Sequence, residues 1–153
     1  MKNRCTGLTL IDLLIAISII AIIAGAAMPL YANFVDNARN SAAASDILEI
    51  QLAIDRFNAS TFAYPDSLDE IPGIPRTDPW GVAYAYLRID GNTSGGVIGQ
   101  QRKDKNLNPL NSDFDLYSVG KDGDSKLALT AKAAHDDIIR AGNGGFVGLA
   151  ENH

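Results

Sequence analysis

The chain has 153 residues, which is enough for one domain with its own core, and its 46% hydrophobic content suits a folded protein. Its formal net charge of -5 argues against a nucleic acid as partner, because phosphate backbones attract basic surfaces. The single cysteine is Cys5, so the chain has no pair of cysteines from which an internal disulfide could form.

The chain begins with a short basic segment, followed by a long apolar one. Lys2 and Arg4 are the only charged residues among residues 1–7, a pattern typical of a flank retained in the cytoplasm. Residues 13–30 contain no charge, and as a helix they would extend about 27 Å, close to the hydrocarbon thickness of a bilayer. We therefore predict one transmembrane helix over about residues 8–30.

Asp12 lies at the edge of this apolar span and needs a cationic partner there. An ionised carboxylate at the centre of a bilayer costs about 2.5–3.5 kcal/mol. Cleavage after Gly7 would supply a partner, because the new α-amine on Leu8 would lie four residues before Asp12, or beside the Asp12 of a neighbouring subunit. Pairing between subunits would select one axial offset between helices, so Asp12 is predicted to act in assembly.

A secretory signal peptide is the main alternative for this segment. Residues 13–23 have the length of its apolar region, and residues 24–26, Ala-Gly-Ala, fit the small-residue cleavage pattern. Under this hypothesis signal peptidase releases a secreted calcium-binding or ligand-binding domain after Ala26. Against it stand Asp12 at the entrance to the apolar region and a helical pattern that continues past Ala26.

The helical pattern changes character beyond the apolar span. Pro29 removes one backbone donor and is predicted to kink the helix. Further along, four apolar side chains recur at three- and four-residue spacings: Ile47, Ile50, Ile54 and Phe57. We predict one helix over about residues 10–58 that is apolar all round at first and amphipathic afterwards.

The remaining residues, 59–153, are predicted to form a globular domain after a leader (1–7) and a stem helix (8–58). Residues 59–76 are rich in turn formers, with one helical turn expected near residues 67–71. A turn is expected at residues 78–81, and strands at 82–89, 97–101 and 114–119. The predicted fold class is α+β, with the long helix packed on a small antiparallel sheet and with Trp80, Tyr84 and Tyr86 in the core.

Residues 7–13, Gly-Leu-Thr-Leu-Ile-Asp-Leu, resemble the type IV pilin and pseudopilin signature, in which Gly precedes Phe-Thr-Leu-Ile-Glu-Leu. Leu8 stands where Phe is usual, and Asp12 stands where Glu is usual. The resemblance implies a pilin-like fold, cleavage after Gly7 by a prepilin peptidase, and methylation of the new amine on Leu8. It also implies a single-pass protein of the bacterial inner membrane whose globular part is periplasmic.

Two later segments resemble the major pseudopilin of type II secretion in particular. Residues 78–81, with Tyr84 and Tyr86, are similar to its Asp-Pro-Trp-Gly segment, and residues 115–123 are similar to a segment ending in Gly-x-Asp-Gly. This resemblance implies a structural subunit of a pseudopilus that serves protein secretion. Its partners would be copies of itself in a helical filament, other pseudopilins and an inner-membrane assembly platform. A type IV pilin for adhesion or motility is the alternative.

Major pseudopilins of this kind hold a calcium ion in the C-terminal loop. The resemblance implies Asp122 and Asp137 as candidate ligands, with Asp124, Ser125 and Asp136 nearby. Oxygen donors on a Gly-rich loop suit Ca²⁺. The alternative is that these side chains cap turns and face water. Residues 125–135 depart from the usual family pattern and the tail after residue 140 has no counterpart in it, so an irregular C-terminal loop region is predicted.

The sequence contains no pattern that predicts an enzyme. It lacks the G-x-S-x-G and G-x-x-x-x-G-K-[ST] motifs. His135 and His153 lie too far apart in the sequence to indicate a zinc site. A non-enzymatic subunit is therefore predicted.

Overall fold

The computed structural model describes residues 9–92 and 94–153. It contains one long helix and a four-stranded antiparallel sheet, which confirms the α+β, pilin-like fold class. In chain order the elements are α1 (Leu10–Thr61), a 3-10 turn (Leu68–Glu70), β1 (Ala85–Arg88), α2 (Gly95–Ile98), β2 (Phe114–Ser118), a 3-10 turn (Lys132–Ala134), β3 (Ile138–Ala141), β4 (Phe146–Leu149) and a last 3-10 turn (Ala150–Asn152). The chain divides into two compact units, Met1–Asn37 and Ala38–His153.

The first unit contains the apolar part of α1. By length and composition this helix is suited to cross a membrane, and none of its most apolar window is buried. The core helix of a soluble protein would be mostly buried, so the exposure of Leu10, Ile20 and Ile22 argues against that role. Pro29 lies inside α1, which is helical on both sides of it. The kink at Pro29 stays a prediction.

The second unit confirms the amphipathic pattern predicted for the later part of the helix. Ile47, Ile50 and Ile54 are fully buried, together with Ala43, and Phe57 packs against the same cluster. The sheet contributes Phe114, Leu116 and Ile138 to this core. Burial of each isoleucine contributes about 1.5–3 kcal/mol, so this face of the helix holds the sheet in place.

The sheet has the order β1-β2-β3-β4, with every neighbouring pair antiparallel. The strand predicted at 114–119 is confirmed as β2, whereas the strand predicted at 82–89 is shorter, at Ala85–Arg88. The expected helical turn is present at Leu68–Glu70, and Gly81 N donates to Asp78 O across the predicted turn. Tyr84 is buried, and Trp80 and Tyr86 pack against the core, as predicted.

The strand predicted at 97–101 was wrong. This segment begins with the short helix α2, whose first turn closes where Val97 N and Ile98 N donate to Ser94 O at 3.0 and 3.2 Å. Glycines lie on both sides of this apolar pair, at Gly95, Gly96 and Gly99, and glycine weakens a strand. Two apolar residues without alternating neighbours were too little to predict a strand.

The prediction of an irregular C-terminal region was wrong in part, because β3 and β4 form a hairpin there. All four residues of β3 are buried, so the strand lacks the alternation that marks a half-exposed strand. Arg140 interrupts its apolar run and further conceals the pattern. The connecting turn contains positive φ angles at Gly142 (59°), Asn143 (55°) and Gly144 (90°), which explains its Gly-Asn-Gly sequence.

Tyr84 and Tyr86 support a prediction about alkaline pH. Burial raises the pKa of both phenols, and the hydrogen bond from Tyr84 Oη to Asp46 Oδ2 (2.8 Å) raises that of Tyr84 further. The unfolded phenols have a pKa of about 10. Raised folded pKa values give a stability that is present below that pH and is lost as the pH rises further.

We therefore expect these two tyrosines to ionise only as the domain unfolds. Phenolate absorbance and the fluorescence of Trp80, the single tryptophan, should be followed together during an alkaline titration. Full ionisation of all five tyrosines near pH 10 with unchanged Trp80 fluorescence would contradict this result. A Tyr84→Phe variant should show one phenolate fewer in the late, unfolding-linked step.

Candidate functional site

Asp12 lies in the first turn of α1, where it caps the helix together with Thr9. Asp12 Oδ2 accepts hydrogen bonds from Thr9 N at 3.0 Å and Thr9 Oγ1 at 2.7 Å, while Asp12 N donates to Thr9 Oγ1 at 3.3 Å. This reciprocal arrangement is a capping box, which stabilises a helix start by about 0.5–2 kcal/mol. The Thr-x-x-Asp spacing could have revealed it in the sequence, but the sequence reasoning missed it.

Among the described residues, both hydrogen-bond donors to the Asp12 carboxylate come from the neutral Thr9, so the capping box supplies no positive charge to balance it. Gly7 and Leu8, the predicted cleavage pair, lie outside the described residues. The pairing of Asp12 with an amine on Leu8 therefore stays a prediction. The geometry adds that the carboxylate is held at the helix start by Thr9, in a fixed position relative to α1.

The two later segments that resembled the pseudopilins meet in the folded domain. Asp78 Oδ2 accepts a hydrogen bond from Ser118 Oγ at 2.5 Å, and Asp78 Oδ1 accepts from Trp80 N and Val82 N at 3.0 and 2.9 Å. Asp78 and Ser118 are both buried. These contacts tie the turn before β1 to the end of β2, so the segments act in folding.

Gly120 follows Ser118 and packs tightly against the C-terminal loop. Its φ is +71°, and a Cβ on this residue would lie 2.2 Å from the backbone oxygen of Asp136. Only glycine allows both this backbone conformation and this approach. The loop around Asp136 is therefore held directly against the end of β2.

Four of the five predicted calcium ligands form a chain of turn contacts on this loop. Asp122 N donates to Asp136 Oδ2 at 2.9 Å, Asp124 N donates to Asp122 Oδ1 at 2.8 Å, and Ser125 N donates to Asp124 Oδ1 at 2.8 Å. Asp122 and Asp124 are exposed. The structure thus brings Asp122 near Asp136, with each carboxylate accepting from a backbone amide, as the turn-capping alternative predicts.

Asp137, the fifth candidate, is fully buried and has a different partner. Its Oδ2 atom lies 2.5 Å from Arg102 Nη2 and 2.5 Å from Ser125 Oγ. Burial raises the pKa of the Asp137 carboxyl, whereas the Ser125 hydroxyl and the Arg102 guanidinium lower it. Sequence reasoning missed Arg102, because its partner lies 35 positions further along the chain.

In this arrangement the predicted ligands do not fit a calcium ion. Within residues 9–92 and 94–153, the structure contains no group of three or more His, Cys, Asp or Glu side chains that could hold a metal ion together. Calcium takes six to eight oxygen ligands, and the one buried carboxylate of the predicted set is already paired with a cation. Calcium binding by this loop stays a prediction.

Comparison with known proteins gives matches at the N-terminus and along most of the chain. The family model of the prokaryotic N-terminal methylation motif matches residues 2–28. A protein of Pseudomonas aeruginosa described as type II secretion system core protein G is 27% identical, over 80% of this chain and 87% of the relative. A protein of Aeromonas hydrophila with the same description is 26% identical, over 81% of this chain and 88% of the relative. No solved structure matches the chain.

Proposed function

We propose that the chain is a pseudopilin of the G type and serves as a structural subunit of a pseudopilus for protein secretion, as its methylation motif and its similarity to the two secretion proteins support. The observation that carries this proposal is the methylation motif, which runs into the exposed apolar part of α1 with Asp12 in its first turn. The similarity to the two secretion proteins extends over about four fifths of the chain. Those relatives carry the name of a secretion-system component rather than of an enzyme.

By length and composition the apolar helix is suited to cross a membrane, and we infer that it anchors the subunit as a single span. Lys2 and Arg4 precede this helix and would keep the N-terminus in the cytoplasm. We infer an inner-membrane subunit whose Ala38–His153 unit lies in the periplasm. A prepilin peptidase would cut after Gly7 and methylate Leu8.

Assembly would use two properties of the stem. Its apolar side chains are exposed in the single chain, so they need lipid or further copies of the helix around them. The carboxylate of Asp12 would pair with the Leu8 amine of a neighbouring subunit, which would fix the offset between successive stems. Contacts that repeat without closing give a helical filament. Other pseudopilins and an inner-membrane assembly platform would be the further partners.

The two alternatives are less favoured. Release of a secreted domain after Ala26 would discard most of the matched methylation motif, which covers residues 2–28. A type IV pilin for adhesion or motility would share that motif, but both relatives are secretion-system proteins. The secretion subunit agrees with both observations.

The processing site gives a direct test of this function. We expect the protein isolated from its host to start at Leu8 and to carry one additional methyl group, as measured by intact mass and N-terminal sequencing. Cys5 is the single cysteine and lies in the leader, so the mature chain should react with no thiol reagent. A Gly7→Val variant should retain the leader and its reactive thiol.

A matched variant separates the two cleavage hypotheses. Ala26→Val replaces the small residue after which a signal peptidase would cut, and we expect it to leave the start at Leu8 unchanged. A wild-type chain that starts at Ala27 would exclude the filament subunit.

A further inference from the structure

Arg102 is the largest side chain that is fully buried among the described residues. A buried charge is costly unless it is paired and hydrogen-bonded. Two nitrogens of the Arg102 guanidinium meet this condition, Nη2 through Asp137 and Nη1 through Ser125, while Nε has no hydrogen-bond partner among the described residues. The central carbon of the guanidinium lies 4.0 Å from the ring centroid of Tyr117. The surroundings of Arg102 are therefore suited to a buried cation.

This cation joins four separate segments of the domain. Arg102 lies between α2 and β2, Tyr117 lies on β2, Ser125 lies in the following loop, and Asp137 directly precedes β3. Both backbone polar groups of Arg102 are also hydrogen-bonded. Arg102 N donates to the side-chain atom Asp115 Oδ2 at 2.8 Å, and Leu110 N donates to Arg102 O at 2.7 Å. The guanidinium thus closes the loop over the sheet.

We propose that the Arg102 guanidinium is the built-in cation of the C-terminal loop, so that the loop closes on Asp137 without a calcium ion. The same Asp137 oxygen accepts from the guanidinium and from Ser125, whose hydroxyl in turn accepts from Arg102 Nη1 at 2.9 Å. These three contacts hold the loop against Asp137, which is the role that a bound metal ion would otherwise have. The proposal concerns folding of the domain and holds whether or not the chain forms filaments.

Two features of this position oppose calcium binding: the positive charge of Arg102 and the shortage of free oxygen ligands. A divalent ion beside Asp137 would be repelled by the adjacent guanidinium. The Oδ1 atom of Asp137 has no hydrogen-bond partner in the described part of the chain, so it is the one oxygen of this carboxylate left for an ion. A single such oxygen falls far short of the six to eight ligands that calcium takes.

The first arm of the test uses the wild-type, full-length protein in detergent. Thermal unfolding is followed by the fluorescence of Trp80, which packs against the core, in the presence of either millimolar calcium chloride or a chelator. We expect the two midpoints to agree within about 1 °C. An ion that binds the folded state raises the midpoint, so a calcium-dependent increase of about 4 °C or more would overturn the proposal. This arm requires no variant to fold.

The second arm removes the guanidinium. Arg102→Ser leaves Asp137 buried without its cation, and we expect its midpoint in chelator to fall by about 10 °C or more. Lys103→Ser is the matched control, because it removes a neighbouring exposed charge, and its midpoint should change by less than about 2 °C. Equal midpoints for the two variants would overturn the proposal.

A double variant covers the case in which Arg102→Ser fails to fold. Arg102→Met with Asp137→Leu removes both charges together, so no uncompensated carboxylate remains. We expect it to unfold at a higher temperature than Arg102→Met alone. A double variant that is no more stable than the single one would argue that the ion pair is not what closes the loop.

Discussion

An Asp12→Ala subunit is expected to accumulate in the membrane at the wild-type level and to form at least tenfold fewer filaments. Removing one partner of a buried ion pair costs about 3–5 kcal/mol, which corresponds to about a hundredfold or more in an association constant. The measurement is the amount of sheared or cross-linked filament, normalised to the subunit in the membrane. The exposed Asp69→Ala variant is a matched control, since the Asp69 side chain is 95% exposed, and it should assemble normally.

Two further variants distinguish charge pairing from helix capping. Asp12→Glu keeps the charge with a longer reach, and we expect it to assemble. Thr9→Ala removes the capping partner of Asp12 but leaves the carboxylate, so it should assemble to within about twofold of wild type. If Thr9→Ala were as defective as Asp12→Ala, the role of Asp12 would lie in the capping box rather than in contacts between subunits.

Phe114→Ala is expected to destabilise the Ala38–His153 unit by about 3–5 kcal/mol, because it leaves a cavity under the stem helix. The ring of Phe114 is fully buried, and its centroid lies 5.4 Å from that of Tyr64 and 3.9 Å from the guanidinium carbon of Arg140. Its loss therefore affects the helix face, the loop after it and the buried arginine at once. Denaturant unfolding of the full-length protein, followed by Trp80 fluorescence, gives the free energy.

Phe62→Ala is the matched control for that measurement. The Phe62 side chain is 92% exposed, directly after the end of α1. The same chemical change should alter the free energy of unfolding by less than about 0.5 kcal/mol. Similar values for the two variants would mean that Phe114 is not a centre of the core.

The stem shows how far local patterns reach. The apolar run of residues 13–30 and the spacing of Ile47, Ile50 and Ile54 are both read from residues close together in one helix. Such signals survive any tertiary context, so the helix bounds and its buried face could be predicted closely. The strand predicted at 114–119 is present as β2, and it contributes Phe114 and Leu116 to the core that the helix covers.

The C-terminal region shows where local patterns end. β3 is covered on both sides and contains Arg140, which is buried because its guanidinium pairs with Asp113 27 positions earlier and its Nε donates to Gln51 of α1. From the sequence alone, an arginine at this position is expected to be exposed at the surface. Its burial depends on partners that only the folded chain brings together, so a strand of this composition was not predicted.

The sequence by itself determined the apolar stem with Asp12 at its start and the face by which the later part of the helix packs on the sheet. Each of these depends on residues close together in the chain. Only the tertiary structure decided how the acidic C-terminal loop is held, since the cation at Asp137 comes from Arg102, 35 positions away. Opposite charges attract according to their distance in space, and the sequence alone does not give that distance.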